Sequence, residues 1–356
     1  MRVFVLPASE HNLGDRLGDP GRQYRGGEVN VIFWNEIAMA FERAGCEIHT
    51  TDRWSSARSE RDDILLVVGH PDDSLLWRAA RAARDVLRGR RSFERSRRAF
   101  VRVHARMFSR AILLQLEPPT ITPWPYRHFD SIERSGIYTD FFLLTRGEHD
   151  RARYFNYYQF CSKEIVSPLF TRPKRKFLTM INSNALPHTL ANELYGERIR
   201  AIRYFGAVDG FDLYGYRWDR MPRHPFYFWA GRSVRRAWRG TVPDKLKTMS
   251  EYRFSLCFEN CIAPGYISEK LFDCLATGSI PIYYGAPDVT DLVPAECFID
   301  FRKFRSYREL HGYLVSLSDE AILQYREAIL RFLSDRGKMR GIDDFVGQVL
   351  ASPRRA

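Results

Sequence analysis

Two neighbouring residues of opposite charge, Glu269 and Lys270, stand where a loop turns into a helix, and another carboxylate, Glu259, follows the preceding strand. Ser268 suits the N-cap of that helix and Gly278 its end. A helix amino terminus presents unpaired N–H groups and positive partial charge, and so favours an anion. A cation in the first turn works against the helix, so Lys270 is placed for some other purpose; its ammonium can sit on a diphosphate as a point charge. Glu269 balances the helix dipole and can accept hydrogen bonds from both hydroxyls of a ribose. Together they describe a nucleotide-sugar clamp, ribose on Glu269 and phosphate on Lys270, with Tyr266 just ahead able to pack near the sugar. A plain surface Glu-Lys pair is the competing reading.

The elements that must position these residues follow an α/β pattern. "YRFSLCFEN" alternates like a strand, "SEKLFDCLATG" carries Leu271, Phe272, Leu275 and Ala276 on a helical stripe, and "SIPIYYGAP" reads as the next strand, a βαβ unit. Upstream, "FLTMINSN", "NELYGERIRAIRYFG" and "FDLYGYRW" read as strand, helix and strand. The first third has the same rhythm: "MRVFVLP", a helix ending at Gly45, then "CEIHTT" and "DDILLVVGH". A buried strand over Ala111 to Leu116 runs into Glu117 and a proline-rich loop. A carboxylate at the carboxyl end of a strand in such a sheet lies where open α/β sheets bind ligands. "PLFTRPKRK" reads as a linker, giving domains over 1–170 and 171–335 and a short tail over 336–356.

Composition bounds the alternatives. The 356 residues are 45% hydrophobic and 28% charged, ordinary for a globular chain of two domains. The start lacks the apolar run of a signal peptide, and no stretch approaches a membrane span, so a cytoplasmic location is expected. Six scattered cysteines fit buried reduced thiols; Cys257 and Cys261 lack the partners of a zinc site. Lysine and arginine number 55 against 43 acidic residues, a formal charge of +12, with much of the excess between Arg78 and Arg110. That stretch is either a solvated helix pair or a surface for nucleic acid, anionic lipid or a phosphorylated substrate.

The run Tyr252 to Pro287, "YRFSLCFENCIAPGYISEKLFDCLATGSIPIYYGAP", resembles the signature of the α1,3/4-fucosyltransferases, matching at Phe258, Glu259, Asn260, Tyr266, Ser268, Glu269, Lys270, Gly278, Pro281 and Gly285 among others. "FDLYGYRW" and "PAECFIDFRKFRSYREL" resemble further family segments more loosely. The resemblance implies two Rossmann-like domains facing a cleft, the GT-B type, with the nucleotide sugar on the carboxyl-terminal domain and the acceptor on the amino-terminal one. It resembles the bacterial members, which lack an amino-terminal anchor.

The resemblance also implies roles. The donor is GDP-fucose, transferred with inversion to a hydroxyl of an oligosaccharide, N-acetylglucosamine in a lactosamine-like or lipopolysaccharide glycan. Glu117 is the general base, and Arg198, in competition with Arg200 and Arg203, binds the donor phosphates. Asn260 lines the donor pocket or steadies its loop; Glu259 either shapes the donor site or caps backbone amides. His128 and His188 read as loop residues. No obligatory metal is expected, and Mn2+ or Mg2+ stimulation is compatible with the clamp. The basic stretch would touch an anionic membrane at its inner surface; no nucleic-acid partner is expected. The alternatives are a related inverting transferase with another nucleotide sugar, and a basic nucleic-acid-binding protein, which would leave the 252–287 signature unexplained.

Overall fold

The computed structural model describes residues 1–8, 12–15, 17, 28–71, 93–147, 152–154, 168–220, 229–335 and 342–355. The chain divides into two units, Met1–Phe155 with Arg340–Ala356, and Asn156–Met339.

The first unit is built on a six-stranded sheet in the order β2-β1-β3-β4-β5-β6. Its strands are β1 (Arg2–Leu6), β2 (Glu47–Thr50), β3 (Ile64–Val68), β4 (Arg110–Gln115), β5 (Asp140–Leu143) and β6 (Arg153–Tyr154), and every pairing is parallel. β3 and β4 are buried along their whole length, which is why "ILLVV" and "RAILLQ" read as continuous runs rather than alternations. β4 begins and ends one residue before the expected strand. Helix Glu28–Arg43 closes at Gly45, whose φ of 75° is the left-handed value a glycine adopts without strain.

Residues 342–355 differ from the expected short tail. Ile342–Leu350 is a helix that buries Ile342, Phe345, Val346 and Val349, a stripe at helical spacing. It packs against helix Glu28–Arg43, and Phe345 meets Phe142 of β5 edge-on at 5.4 Å. Arg110 donates to the Ser352 carbonyl at 2.7 Å, and the Ser352 hydroxyl donates to Asp140 at 2.7 Å.

The second unit has a five-stranded, all-parallel sheet in the order β11-β10-β9-β7-β8. Its strands are β7 (Lys176–Ile181), β8 (Phe211–Tyr214), β9 (Tyr252–Phe258), β10 (Ile280–Tyr284) and β11 (Ile299–Asp300). One core cluster joins Phe254, Leu256 and Ile282 to helices Tyr195–Phe205 and Tyr307–Ser316; the other joins Cys257 and Tyr283 to helices Glu269–Thr277 and Asp319–Ser334. Alternate residues of β9 and β10 thus serve opposite faces, and helices cover both, the doubly wound arrangement. In each unit the chain reverses direction across the sheet once, between β1 and β3 and between β7 and β9, and ligands bind outside the carboxyl ends of strands at such points.

The five described cysteines, Cys46, Cys257, Cys261, Cys274 and Cys297, are buried and free; Cys161 lies outside the described residues. Among the described residues no helix is long and apolar enough to cross a membrane.

Candidate functional site

The clamp residues gather at the carboxyl end of β9, beside the point where the second sheet reverses. Ser268 caps helix Glu269–Thr277, its hydroxyl accepting from the Lys270 N–H, and Gly278 closes it at φ 66°. Glu259 is fully buried. One carboxylate oxygen accepts from the Ser268 N–H at 2.7 Å, and the other from the Ser268 hydroxyl at 2.7 Å. The Lys270 ammonium lies 3.0 Å from the Ser268 hydroxyl, 3.5 Å from Glu259 and 3.5 Å from Glu269. Glu259 therefore fixes the helix start from beneath, and the lysine stands between two carboxylates.

Gly285 makes room for this arrangement. A Cβ there would fall 2.5 Å from the Glu259 Cγ and 2.6 Å from the Tyr283 hydroxyl, so only glycine lets the chain just past β10 run this close.

Arg198 comes from the helix after β7. It is buried and donates to the Phe258 carbonyl from Nη2 at 2.7 Å and from Nε at 3.2 Å, and Nη2 also donates to the Asn260 side-chain oxygen at 2.9 Å. Its guanidinium lies 4.7 Å from the ring centre of Tyr195. Nη1 takes no hydrogen bond among the described residues and remains able to meet an anion. Arg200 is exposed and ion-paired to Glu197, and Arg203 is exposed. Asn260 joins two segments, since its carbonyl accepts from the Leu194 N–H at 3.0 Å while its side chain receives Arg198. Tyr266 is buried in the loop before the cap, and its carbonyl lies 3.5 Å from the Tyr283 hydroxyl.

A further pair extends the network beyond the residues the sequence singles out. Lys245 donates to Asp273 at 2.5 Å, one helical turn past Glu269. Burial works against the charge of Lys245, but Asp273 and Glu269 outweigh it and raise its pKa. Burial likewise opposes ionisation of Glu269, yet Lys270 and Lys245 hold its pKa down to about 2. For Lys270, burial lowers the pKa, and Glu269 and Glu259 more than restore it. The cluster thus keeps Glu269 negative and Lys270 positive. The spacing of Glu269 and Asp273 on one helix face was readable; the lysine that serves it was not.

Glu117 belongs to the first unit, two residues past β4. Its side chain is exposed, but its carbonyl accepts from Gln115 Nε2 at 3.2 Å, Thr122 Oγ1 at 3.3 Å and the Tyr126 hydroxyl at 2.9 Å. Nearby, at the carboxyl end of β3, His70 stacks on Trp124 at 5.3 Å, and its Nδ1 lies 2.8 Å from the Tyr138 hydroxyl. Burial, reinforced by Arg97, lowers the His70 pKa to about 3. His128 packs on Trp124 at 4.8 Å, whereas His188 is exposed in the second unit.

The basic stretch is partly spent inside the fold. Arg97 is buried and donates to the Val68 and Gly69 carbonyls; Arg106 donates to Ser135 and Arg110 to Ser352. Residues 78–92 lie outside the described residues, as does most of the Gly14–Glu28 loop. Among the described residues no group of His, Cys, Asp and Glu side chains could hold a metal ion.

Comparison with known proteins places this geometry. The two parallel Rossmann-like units are those of the GT-B glycosyltransferase fold: a glycosyltransferase from Rickettsia africae superposes with a TM-score of 0.50 at 10% identity, covering 98% of this chain and 97% of that one. An alpha-(1,4)-fucosyltransferase of Arabidopsis thaliana is 46% identical over 74 residues, 21% of this chain and 18% of that protein. The alpha-(1,3)-fucosyltransferase FucT of Helicobacter pylori is 36% identical over 84 residues, 24% and 18%. The chain spans about a fifth of the length of these curated relatives. Residues 227–328, which hold Glu259, Asn260, Tyr266, Glu269 and Lys270 but neither Arg198 nor Glu117, match the carboxyl-terminal domain of glycosyltransferase family 10 (fucosyltransferase).

Proposed function

We propose that this chain transfers L-fucose from GDP-fucose, with inversion, to a hydroxyl of an oligosaccharide acceptor. The observation that carries the reading is the buried Glu259–Ser268–Lys270 cluster, with Arg198 beside it, inside the segment that matches family 10. Two relatives that match short stretches of this chain are named fucosyltransferases with different linkages, alpha-(1,4) and alpha-(1,3), which supports fucose as the transferred sugar and leaves the linkage and acceptor open.

In this mechanism Glu269 accepts from the ribose hydroxyls, and Lys270 and Arg198 take the negative charge that grows on the departing GDP. Tyr266 and Asn260 shape the wall around the fucose and its diphosphate. Glu117 removes the proton of the acceptor hydroxyl as its oxygen bonds to the anomeric carbon and the bond to GDP breaks. General-base help of this kind is worth about 10²- to 10⁴-fold. With two cations on the diphosphate no metal is obligatory in this reading; added Mn2+ or Mg2+ tests for stimulation. A lactosamine-like or lipopolysaccharide N-acetylglucosamine is the proposed acceptor, used in the cytoplasm as in the bacterial members. Contact with an anionic membrane is proposed for the basic stretch between Arg78 and Arg110, and binding to anionic liposomes at low salt tests it.

The deciding experiment measures GDP release from GDP-fucose, GDP-mannose and UDP-sugars with a mixed oligosaccharide pool. Release from GDP-fucose that is lost in Lys270→Ala is the expected result. Release from another donor would support the related transferase instead, and failure to bind any donor would overturn the clamp.

A further inference from the structure

We infer that Gln115 is the positioning residue for Glu117. This rests on the proposed role of Glu117 as base and adds the group that aims it.

A base must reach one hydroxyl along one direction, and misplacement by about 1 Å can cost about 10²-fold in rate. Glu117 stands in a loop with its side chain exposed, a poor setting for such accuracy. What compensates is the last residue of β4. Gln115 is buried, and its amide is used on both sides. Nε2 donates to the Glu117 carbonyl at 3.2 Å and to Thr122 Oγ1 at 2.7 Å, while Oε1 accepts from the His70 N–H at 3.3 Å. The orientation of the amide follows from its partners, because a backbone N–H can only donate and a carbonyl can only accept.

Gln115 therefore ties the loop after β4 to the end of β3. Thr122 and Tyr126 donate to the same Glu117 carbonyl from the far side of the loop. A carbonyl held by three donors fixes its peptide plane, and with it the direction in which the Glu117 side chain leaves the backbone. Gln115 touches neither reacting atom in this scheme; it acts through Glu117.

Gln115→Met keeps the length of the side chain and removes its hydrogen bonds. The expected result is a fall in kcat for GDP release from GDP-fucose of about 10- to 100-fold, with GDP affinity unchanged within about twofold because the clamp lies in the other unit. In a Glu117→Gln background the same change should have no further effect, since the group it positions is gone. Tyr126→Phe removes a second donor to the same carbonyl from a less buried place and should lower kcat by a smaller factor, which keeps the test open if Gln115→Met folds poorly. If kcat is retained in Gln115→Met, or if its penalty persists in full beside Glu117→Gln, this inference is wrong while the transfer reading stands. If Glu117→Gln itself keeps full kcat, both the base assignment and this inference fall.

Discussion

Glu259 holds Ser268 twice, by its backbone N–H and by its hydroxyl, each at 2.7 Å, and so a fully buried carboxylate sets the first turn of the helix that carries Glu269 and Lys270. Glu259→Gln preserves the shape but turns an NH2 group toward donors. The variant should lose about 2–4 kcal/mol of stability, measured by urea denaturation. A loss below about 0.5 kcal/mol would mean that the helix start does not depend on this carboxylate.

Gly285→Ala probes the same carboxylate from the other side. Its Cβ would sit 2.5 Å from the Glu259 Cγ and 2.6 Å from the Tyr283 hydroxyl, both on fully buried side chains. We expect about 1–3 kcal/mol of destabilisation from overpacking, together with weaker GDP binding as Glu259 and the cap are displaced. Calorimetric titration with GDP alongside thermal unfolding separates the two effects.

Lys270→Ala removes the ammonium that sits between Glu259 and Glu269. GDP-fucose affinity should fall about 10- to 100-fold, the worth of one charge-assisted contact. The clamp should also be insensitive to pH in the neutral range. The folded pKa of Glu269 is depressed to about 2, so its ionisation favours the folded state above the ordinary carboxylate value, and that contribution is lost only as pH falls toward 2. Lys270 is shifted upward and stays charged at neutral pH. An inflection in GDP-fucose affinity between pH 5 and 8 that vanishes in Glu269→Gln would contradict this.

His70 gives the first unit an acid-sensitive point. Its folded pKa is lowered from 6.5 to about 3 by burial and by Arg97, so in that interval the unfolded chain binds a proton the folded chain refuses. Stability is full above pH 6.5 and declines as pH falls toward 3, with a slope of at most ~1.4 kcal/mol per pH unit from this group. His70→Asn, which can still accept from Tyr138, should flatten that limb in urea unfolding measured at stepped pH. An unchanged limb would assign the acid sensitivity to other groups.

The sequence shows most plainly what local spacing encodes. The βαβ unit from Tyr252 to Tyr284, the Ser268 cap and the Gly278 close are all visible as period, cap and glycine, and each is where the spacing puts it. Helix Tyr307–Ser316 is hard to read from the sequence, although Ser306 followed by Glu309 is a capping pattern, because Gly312 and the mixed polarity around it mask the stripe. The helix over Ile342–Leu350 also carried a readable stripe, but nothing in the sequence said which unit it would cover. Lys245 with Asp273 and Gln115 with His70 were not legible for a different reason: these partners lie 28 and 45 residues apart, and only the fold makes them neighbours.

That late helix has a consequence for how the protein is made. Ile342–Leu350 leaves the ribosome after the whole of Asn156–Met339, yet it covers helix Glu28–Arg43 and Phe142 of the unit synthesised first. Domains made early generally fold early during synthesis. Here the earlier unit waits with an apolar flank uncovered until Ile342–Leu350 has also been made, so its nascent form is the one a chaperone would need to guard.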